Sequence, residues 1–175
     1  MKVGFVLLNI FCLLSLSCGD DKSTEEAMEA ETTNQKRAIT VDVIENFEYA
    51  DYGLSNEGEK VIANWEKYQE LAIQINYLKK ADLSFFNGDV ELLKKFIEEF
   101  KVGLPQNLKT NPIHSRMAII ETSLLKLNDD LTLDNIPDDN KVESVKEVIV
   151  AFSNLNYQIN KKLERDKFDK ISSEY

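Results

Sequence analysis

From Ser55 onward, apolar side chains recur at alternating spacings of four and three residues in four separate stretches. This spacing places apolar residues along one side of an α-helix. The stretches predict helices over residues 56–81, 89–102, 112–130 and 138–168. Their apolar positions are Val61, Trp65, Tyr68, Ala72 and Ile75, then Val90, Leu93, Ile97 and Phe100, then Ile113, Met117, Ile120, Leu124, Leu127 and Leu131, and finally Val142, Val145, Ile149, Phe152, Ile159 and Leu163.

Each predicted helix has a start or stop signal that suits the free backbone groups at a helix end. The signals are Ser55 and Asn111 as N-caps, Gly103 with Pro105 as a stop, Pro112 at a first helical position, and Pro137 with Asp138 and Asp139 at the last start. Because the connections between the helices are short, successive helices are expected to fold back on one another.

The pattern predicts an all-α fold, an antiparallel four-helix bundle over residues 55–170. A chain of this length buries a sizeable core without disulfides or metals. At a rise of 1.5 Å per residue, the fourth helix is expected to be about 45 Å long and the second about 20 Å. The longer helices therefore need cover from residues 39–54 or from a partner.

Residues 39–54 differ in pattern from the helices that follow. Ile39, Val41 and Val43 alternate with polar residues, and aromatic residues follow. Alternation is typical of a strand, but no second strand is predicted to pair with it. We expect an irregular or partly helical segment that packs its aromatic rings on the helical domain.

Residues 18–38 are predicted to be a disordered acidic tether. Between positions 19 and 38 there are six acids and no aromatic residue, and Met28 is the one large apolar side chain. Such a segment buries too little apolar area to offset the entropy of ordering it. A flexible chain of this length has a root-mean-square reach of roughly 25 Å.

The N-terminus carries a hydrophobic stretch after the positive Lys2. The stretch covers about 14 residues, short of the ~20 that span a bilayer as a helix, so residues 1–17 are predicted to be a secretory signal peptide. The small Ser17 precedes Cys18, whereas the bulky Phe11 precedes Cys12. Only Cys18 therefore lies where a signal peptidase that requires a small residue would cut.

The stretch "LSLSC", which ends at Cys18, resembles the lipobox of bacterial lipoproteins. The resemblance implies that the Cys18 thiol is acylated and that cleavage leaves Cys18 as the lipidated N-terminus. One departure is Ser15, where a lipobox more usually has Leu. The "GDDK" that follows is similar to the signal that sends lipoproteins of Bacteroidota to the cell surface, and the helical domain resembles uncharacterised helical lipoproteins of that group. An outer-membrane anchor, facing the cell surface or the periplasm, is the implied location.

The cysteine count and the net charge exclude further classes of site and partner. If Cys12 leaves with the signal and Cys18 carries lipid, the mature chain has no thiol for a disulfide, a metal site or a nucleophile. Removing residues 1–17 removes one Lys and no acid, which moves the formal net charge from −10 to −11. This charge repels nucleic acid and anionic lipid.

Residues suited to catalysis or metal binding are sparse. His114 is the only histidine, and in the first turn of a helix an imidazole more often caps or packs than reacts. The acid cluster 128–140 offers oxygen ligands for calcium, but it lacks the glycine and closing glutamate of an EF-hand loop. Its ordinary interpretation is that Asp138 and Asp139 favour the helix start. We predict no enzymatic activity, no cofactor and no metal.

Three features are candidates for binding. Phe85 and Phe86 are adjacent between two predicted helices, where they either contact a partner or close the end of the bundle. Asn156 interrupts the apolar series of the fourth helix and is expected to satisfy a hydrogen bond in the core. Trp65 and Tyr68 lie on the apolar side of the first helix and are expected to be core residues.

Two functional hypotheses follow. The first is a non-enzymatic, lipid-anchored interaction or scaffold module that engages an unidentified protein partner through its helices. The alternative is a lipid-anchored carrier or sensor of a small apolar ligand held in the bundle core.

Replacing Cys18 with Ser is expected to abolish labelling of the protein by a fatty-acid probe, because the acylated thiol is lost. Replacing Cys12 with Ser is the matched control and is expected to leave labelling unchanged. Labelling of the full chain in bacterial cells, read on a gel, gives both results. Label retained by the Cys18→Ser variant would contradict the lipobox interpretation.

Overall fold

The computed structural model describes residues 38–174, and within this range the chain is all-helical, with no strand. The bounds are α1 Val41–Glu45, α2 Asn56–Ile62, α3 Glu66–Leu78, α4 Val90–Val102, a 3₁₀ turn at Gln106–Leu108, α5 Asn111–Thr132 and α6 Asp138–Ser173. None of these described helices combines the length and the apolar character that crossing a bilayer requires. The predicted signal peptide 1–17, Cys18 and the linker up to residue 37 lie outside the described residues.

The last three predicted helices are confirmed as α4, α5 and α6. The Asp89 carboxylate caps α4 by accepting a hydrogen bond of 2.7 Å from a first-turn backbone N–H. Pro112 lies in the first turn of α5 as predicted, but the N-cap is Thr110, and Asn111 is already helical. The α6 helix continues to Ser173, beyond the predicted end, and no proline or glycine interrupts residues 164–173.

The predicted helix 56–81 is wrong as a single element, because the chain leaves the helical conformation at Trp65. The Trp65 backbone has φ −95° and ψ 77°, and its side chain is fully buried. Burying a large apolar side chain contributes up to about 3 kcal/mol, which outweighs the cost of interrupting the helix for one turn. The Gln69 amide donates to the Ala63 carbonyl at 2.6 Å, so a backbone group freed by the break has a partner.

The α6 helix is the one on which the others assemble. It contacts α2, α3 and α5, and α4 contacts α3 and α5. The α5 and α6 helices run antiparallel, since Lys126 pairs with Glu147 at 2.7 Å and the Ser144 hydroxyl donates to Asp130. The predicted count of four helices is not confirmed, because α1 and α2 are additional short helices within the described residues.

The core between α3 and α4 is built around Trp65, as predicted. Its Nε1–H donates to the Phe100 carbonyl at 2.8 Å, and its ring stacks on the Phe100 ring with the centroids 4.9 Å apart. A Cβ at Gly103 would lie 2.8 Å from Cδ1 of the indole. Gly103 is therefore needed for the close approach of the indole.

Residues 39–54 are helical over α1 and otherwise irregular. Thr40 caps α1 by accepting a hydrogen bond from the Val43 N–H at 3.3 Å. Ile44 is buried, and Phe47 and Tyr49 pack partly buried against the core. The segment thus covers part of the helical domain that the helices alone would leave open.

Replacing Gly103 with Ala is expected to destabilise the domain by about 1–3 kcal/mol, because the added methyl group displaces a buried and hydrogen-bonded indole. Gly88→Ala is the matched control, since a Cβ at Gly88 meets no atom within 4 Å. The control should change the free energy of unfolding by less than about 0.5 kcal/mol. Urea unfolding followed by the fluorescence of the single tryptophan gives both values, and equal stabilities would contradict the packing described.

Candidate functional site

The C-terminal arm, residues 164–173 of α6, extends beyond the packed part of the domain. Leu163 is the last residue of α6 that packs against the core. On the arm, Phe168 is 69% exposed and Ile171 is 50% exposed. Large apolar side chains that are exposed together mark a surface suited to a protein partner.

Two surface cavities flank this end of α6. The larger, about 810 Å³, lies between the arm and the start of α5; its lining includes Pro112, Arg165 and Phe168. The smaller, about 470 Å³, lies on the side of α2 and is lined in part by Leu54 and Leu163. The arm therefore offers apolar side chains with a concave surface on either side.

Four of the eight charged side chains at positions 161–170 of α6 are paired along the helix. Lys161 donates to Glu164 at 2.6 Å, and Lys162 pairs with Asp166. The hydrogen bond to Glu164 raises the pKa of Lys161 above its usual value. Ion pairs of this kind on an exposed helix surface contribute little to stability. They leave the arm with charges of both signs beside its apolar side chains.

A second surface of α6 holds the extended segment that precedes α2, residues 46–55, which we call the strap. Ser153, Asn156 and Asn160 are spaced by three and four residues, so they lie on one side of α6. The Ser153 hydroxyl accepts from the Tyr52 N–H at 2.7 Å and donates to the Ala50 carbonyl at 2.6 Å.

The two asparagines continue these contacts along the strap. The Asn156 amide donates to the Tyr52 carbonyl at 2.9 Å. The Asn160 amide donates to the Gly53 carbonyl at 2.8 Å, and its oxygen accepts from the Ser55 N–H at 2.8 Å. The strap is thus bound through its backbone by three side chains of one helix.

Tyr68 connects this row of polar side chains to α3. Its hydroxyl donates to Oδ1 of Asn156 at 2.5 Å, and both residues are buried. Burial raises the pKa of Tyr68 well above its usual value, so the hydroxyl stays protonated and acts as the donor. The prediction that Asn156 satisfies a hydrogen bond in the core is confirmed.

The structure places Phe85 and Phe86, the candidate interaction residues, at the core. Phe86 is fully buried and Phe85 is partly buried. The Phe85 ring lies edge-on to the rings of Phe86 and Phe96, with centroid distances of 5.1 Å to each. The Asn128 amide donates to the Phe86 carbonyl at 2.9 Å. The pair closes one end of the domain, as the alternative interpretation held, and Phe86 has no accessible surface for a partner.

The candidate chemical groups do not come together. His114 is exposed in the first turn of α5. The acid cluster 128–140 is divided between the end of α5 and the start of α6, and Asp138 and Asp139 lie in the first turn of α6 as predicted. Among residues 38–174, no three His, Cys, Asp or Glu side chains are grouped so as to hold a metal ion.

Several residues of these surfaces were missed by sequence reasoning. The arm lies beyond the apolar series that predicted the helix, and Phe168 breaks that spacing. Ser153 and Asn160 lie three and four residues from Asn156, on the same side of α6. A polar residue within the apolar series of a helix is the signal that identified Asn156, and the same spacing would have pointed to its two neighbours. Their partners are backbone atoms about a hundred positions earlier, which no side-chain pattern identifies.

Comparison with known proteins finds no matching family model, no matching curated protein and no matching solved structure. The function is therefore inferred from the residues and their geometry.

Replacing Asn156 with Ala is expected to destabilise the domain by about 1–3 kcal/mol, because the buried Tyr68 hydroxyl loses its acceptor. Asn154→Ala is the matched control, since Asn154 makes no side-chain hydrogen bond within the described part of the chain, and its effect should stay below about 0.5 kcal/mol. Thermal and urea unfolding of both variants provide the comparison. If Asn156→Ala were as stable as the control, the hydrogen bond would contribute nothing to folding.

Proposed function

We propose that this protein is a non-enzymatic lipoprotein, anchored through Cys18 in the outer membrane, whose helical domain serves as an interaction module for a protein partner. The observation that carries the proposal is the C-terminal arm, with its exposed Phe168 and Ile171 between two cavities. The scarcity of reactive side chains in the sequence supports a binding role over catalysis.

The position of the arm relative to the chain entry suits this role. The strap begins beside the start of α6, where Phe47 and Val142 line the same surface pocket. From Val142 to Phe168 the helix axis measures about 39 Å at 1.5 Å per residue. The arm therefore lies at the end of α6 that is far from the start of the strap.

The long helices provide the rigid part of the proposed module. In this proposal α3, α4, α5 and α6 act as an antiparallel four-helix bundle, with α1, the strap and α2 laid on its surface. The bundle holds the arm at a fixed orientation, which lowers the entropy lost when a partner binds.

The alternative, a carrier or sensor of a small apolar ligand in the core, has weaker support. The core rings contact one another: Trp65 stacks on Phe100, and the Tyr68 and Phe152 ring centroids are 5.3 Å apart. None of these rings lines either cavity beside the arm. A thermal-shift screen with lipids and hydrophobic metabolites tests it, and stabilisation by any of them would favour the alternative.

A photo-reactive amino acid at position 168 of the membrane-anchored protein is expected to give a covalent adduct with a partner in intact cells. The same amino acid at Leu92, which is 68% exposed on α4, is the matched control and should give none. Adducts are read as a shift on a gel and identified by mass spectrometry. Protease shaving of the same cells reports which side of the membrane the domain faces.

The double variant Phe168→Ser/Ile171→Ser should abolish adducts from neighbouring arm positions while changing the free energy of unfolding by less than about 0.5 kcal/mol, because both side chains are largely exposed. Absence of any adduct at position 168, or the same adducts at positions 168 and 92, would overturn the arm as the binding surface.

A further inference from the structure

The strap is recognised by α6 through atoms that every peptide carries. Its bonds to Ser153, Asn156 and Asn160 use the carbonyls of Ala50, Tyr52 and Gly53 and the N–H groups of Tyr52 and Ser55. Backbone recognition of an extended segment, with side chains adding selectivity, is a general mode of peptide binding. The surface of α6 that faces the strap is thus a peptide-binding groove with an occupant from its own chain.

Side chains of the strap add selectivity on the α3 side of this groove. Asp51 accepts from Lys79 of α3 at 2.6 Å, and Lys79 also lies over the Tyr49 ring. Tyr52 packs on Tyr157 of α6, with the ring centroids 4.7 Å apart. An occupant that supplies all of these contacts needs the backbone and the side chains of the strap itself, and a second copy of the chain carries both.

The strap is also placed so that it can leave the groove. It belongs to the first part of the domain in chain order, so its departure does not unthread any other element. A Cβ at Gly53 would meet no atom within 4 Å, so the chain has room to change direction just before α2. Tyr52 and Gly53 are both exposed.

We propose that the groove between α3 and α6 is a self-interaction surface, in which the strap of a second copy of this chain replaces the resident strap. The exchanged strap makes the contacts that the resident one made, so the exchange costs little beyond the change at the hinge and the association of two chains. This inference rests on the strap contacts and does not depend on the lipid anchor or on the C-terminal arm.

Single-cysteine variants test the exchange, made in full chains that also carry Cys12→Ser and Cys18→Ser. One chain carries Tyr52→Cys on the strap and the other carries Tyr157→Cys on α6. Within a single copy neither chain has a cysteine partner, so a 52–157 disulfide forms only when the strap of one copy lies in the groove of another. The two variant chains are mixed at high concentration and oxidised slowly. The cross-linked peptides are then quantified by mass spectrometry.

The matched control pairs Tyr52→Cys with Tyr77→Cys, since Tyr77 is an exposed tyrosine on α3 that measures collisional cross-linking. The 52–157 disulfide is expected to exceed the 52–77 disulfide several-fold. Circular dichroism of each variant confirms folding, and equal yields of the two disulfides in folded chains would overturn the proposal.

Discussion

The burial of Trp65 is the constraint on which the arrangement of the domain depends. Its indole lies between α3 and α4, held by the Phe100 carbonyl and by contact with Gly103. To place the indole there, the chain leaves the helical conformation, which separates α2 from α3. The direction of α3 is thus set where it begins, and Tyr68, one turn later, is brought within hydrogen-bond distance of Asn156 on α6. One buried side chain therefore positions three helices and the polar row that holds the strap.

The α6 helix has three kinds of surface, each with a different physical character. Its apolar side packs against the core and against α5. Its polar row, at Ser153, Asn156 and Asn160, binds the backbone of the strap, so five backbone groups of a segment without strand partners are satisfied by side chains. Its end projects as the arm, where Phe168 is exposed. A helix of this length can carry all three surfaces, because its middle packs against other elements while its C-terminal end does not.

Both proposed interactions use surfaces of the domain and not a cluster of reactive side chains. Among the described residues, no three His, Cys, Asp or Glu side chains are grouped so as to hold a metal ion, and two buried asparagines have structural hydrogen bonds. Asn128 fixes the turn that carries Phe86, and Asn156 joins α3, α6 and the strap. The two proposals use different surfaces: the arm, with its exposed apolar side chains, and the polar side of α6, against which the strap lies.

The sequence by itself determined the three α-helices from Val90 onward, apart from the last five residues of α6, because apolar spacing and end signals are local properties of a single helix. It also determined that Trp65 and Asn156 are interior residues. The tertiary structure decided where the first predicted helix breaks, because the energy of burying Trp65 against α4 outweighs local helical preference. It decided that Phe86 is core rather than surface, since a turn held by Asn128 directs the ring inward. It also paired the strap with α6, because those hydrogen bonds join backbone atoms to side chains about a hundred residues apart, and only the packing of α3 against α6 brings them into contact.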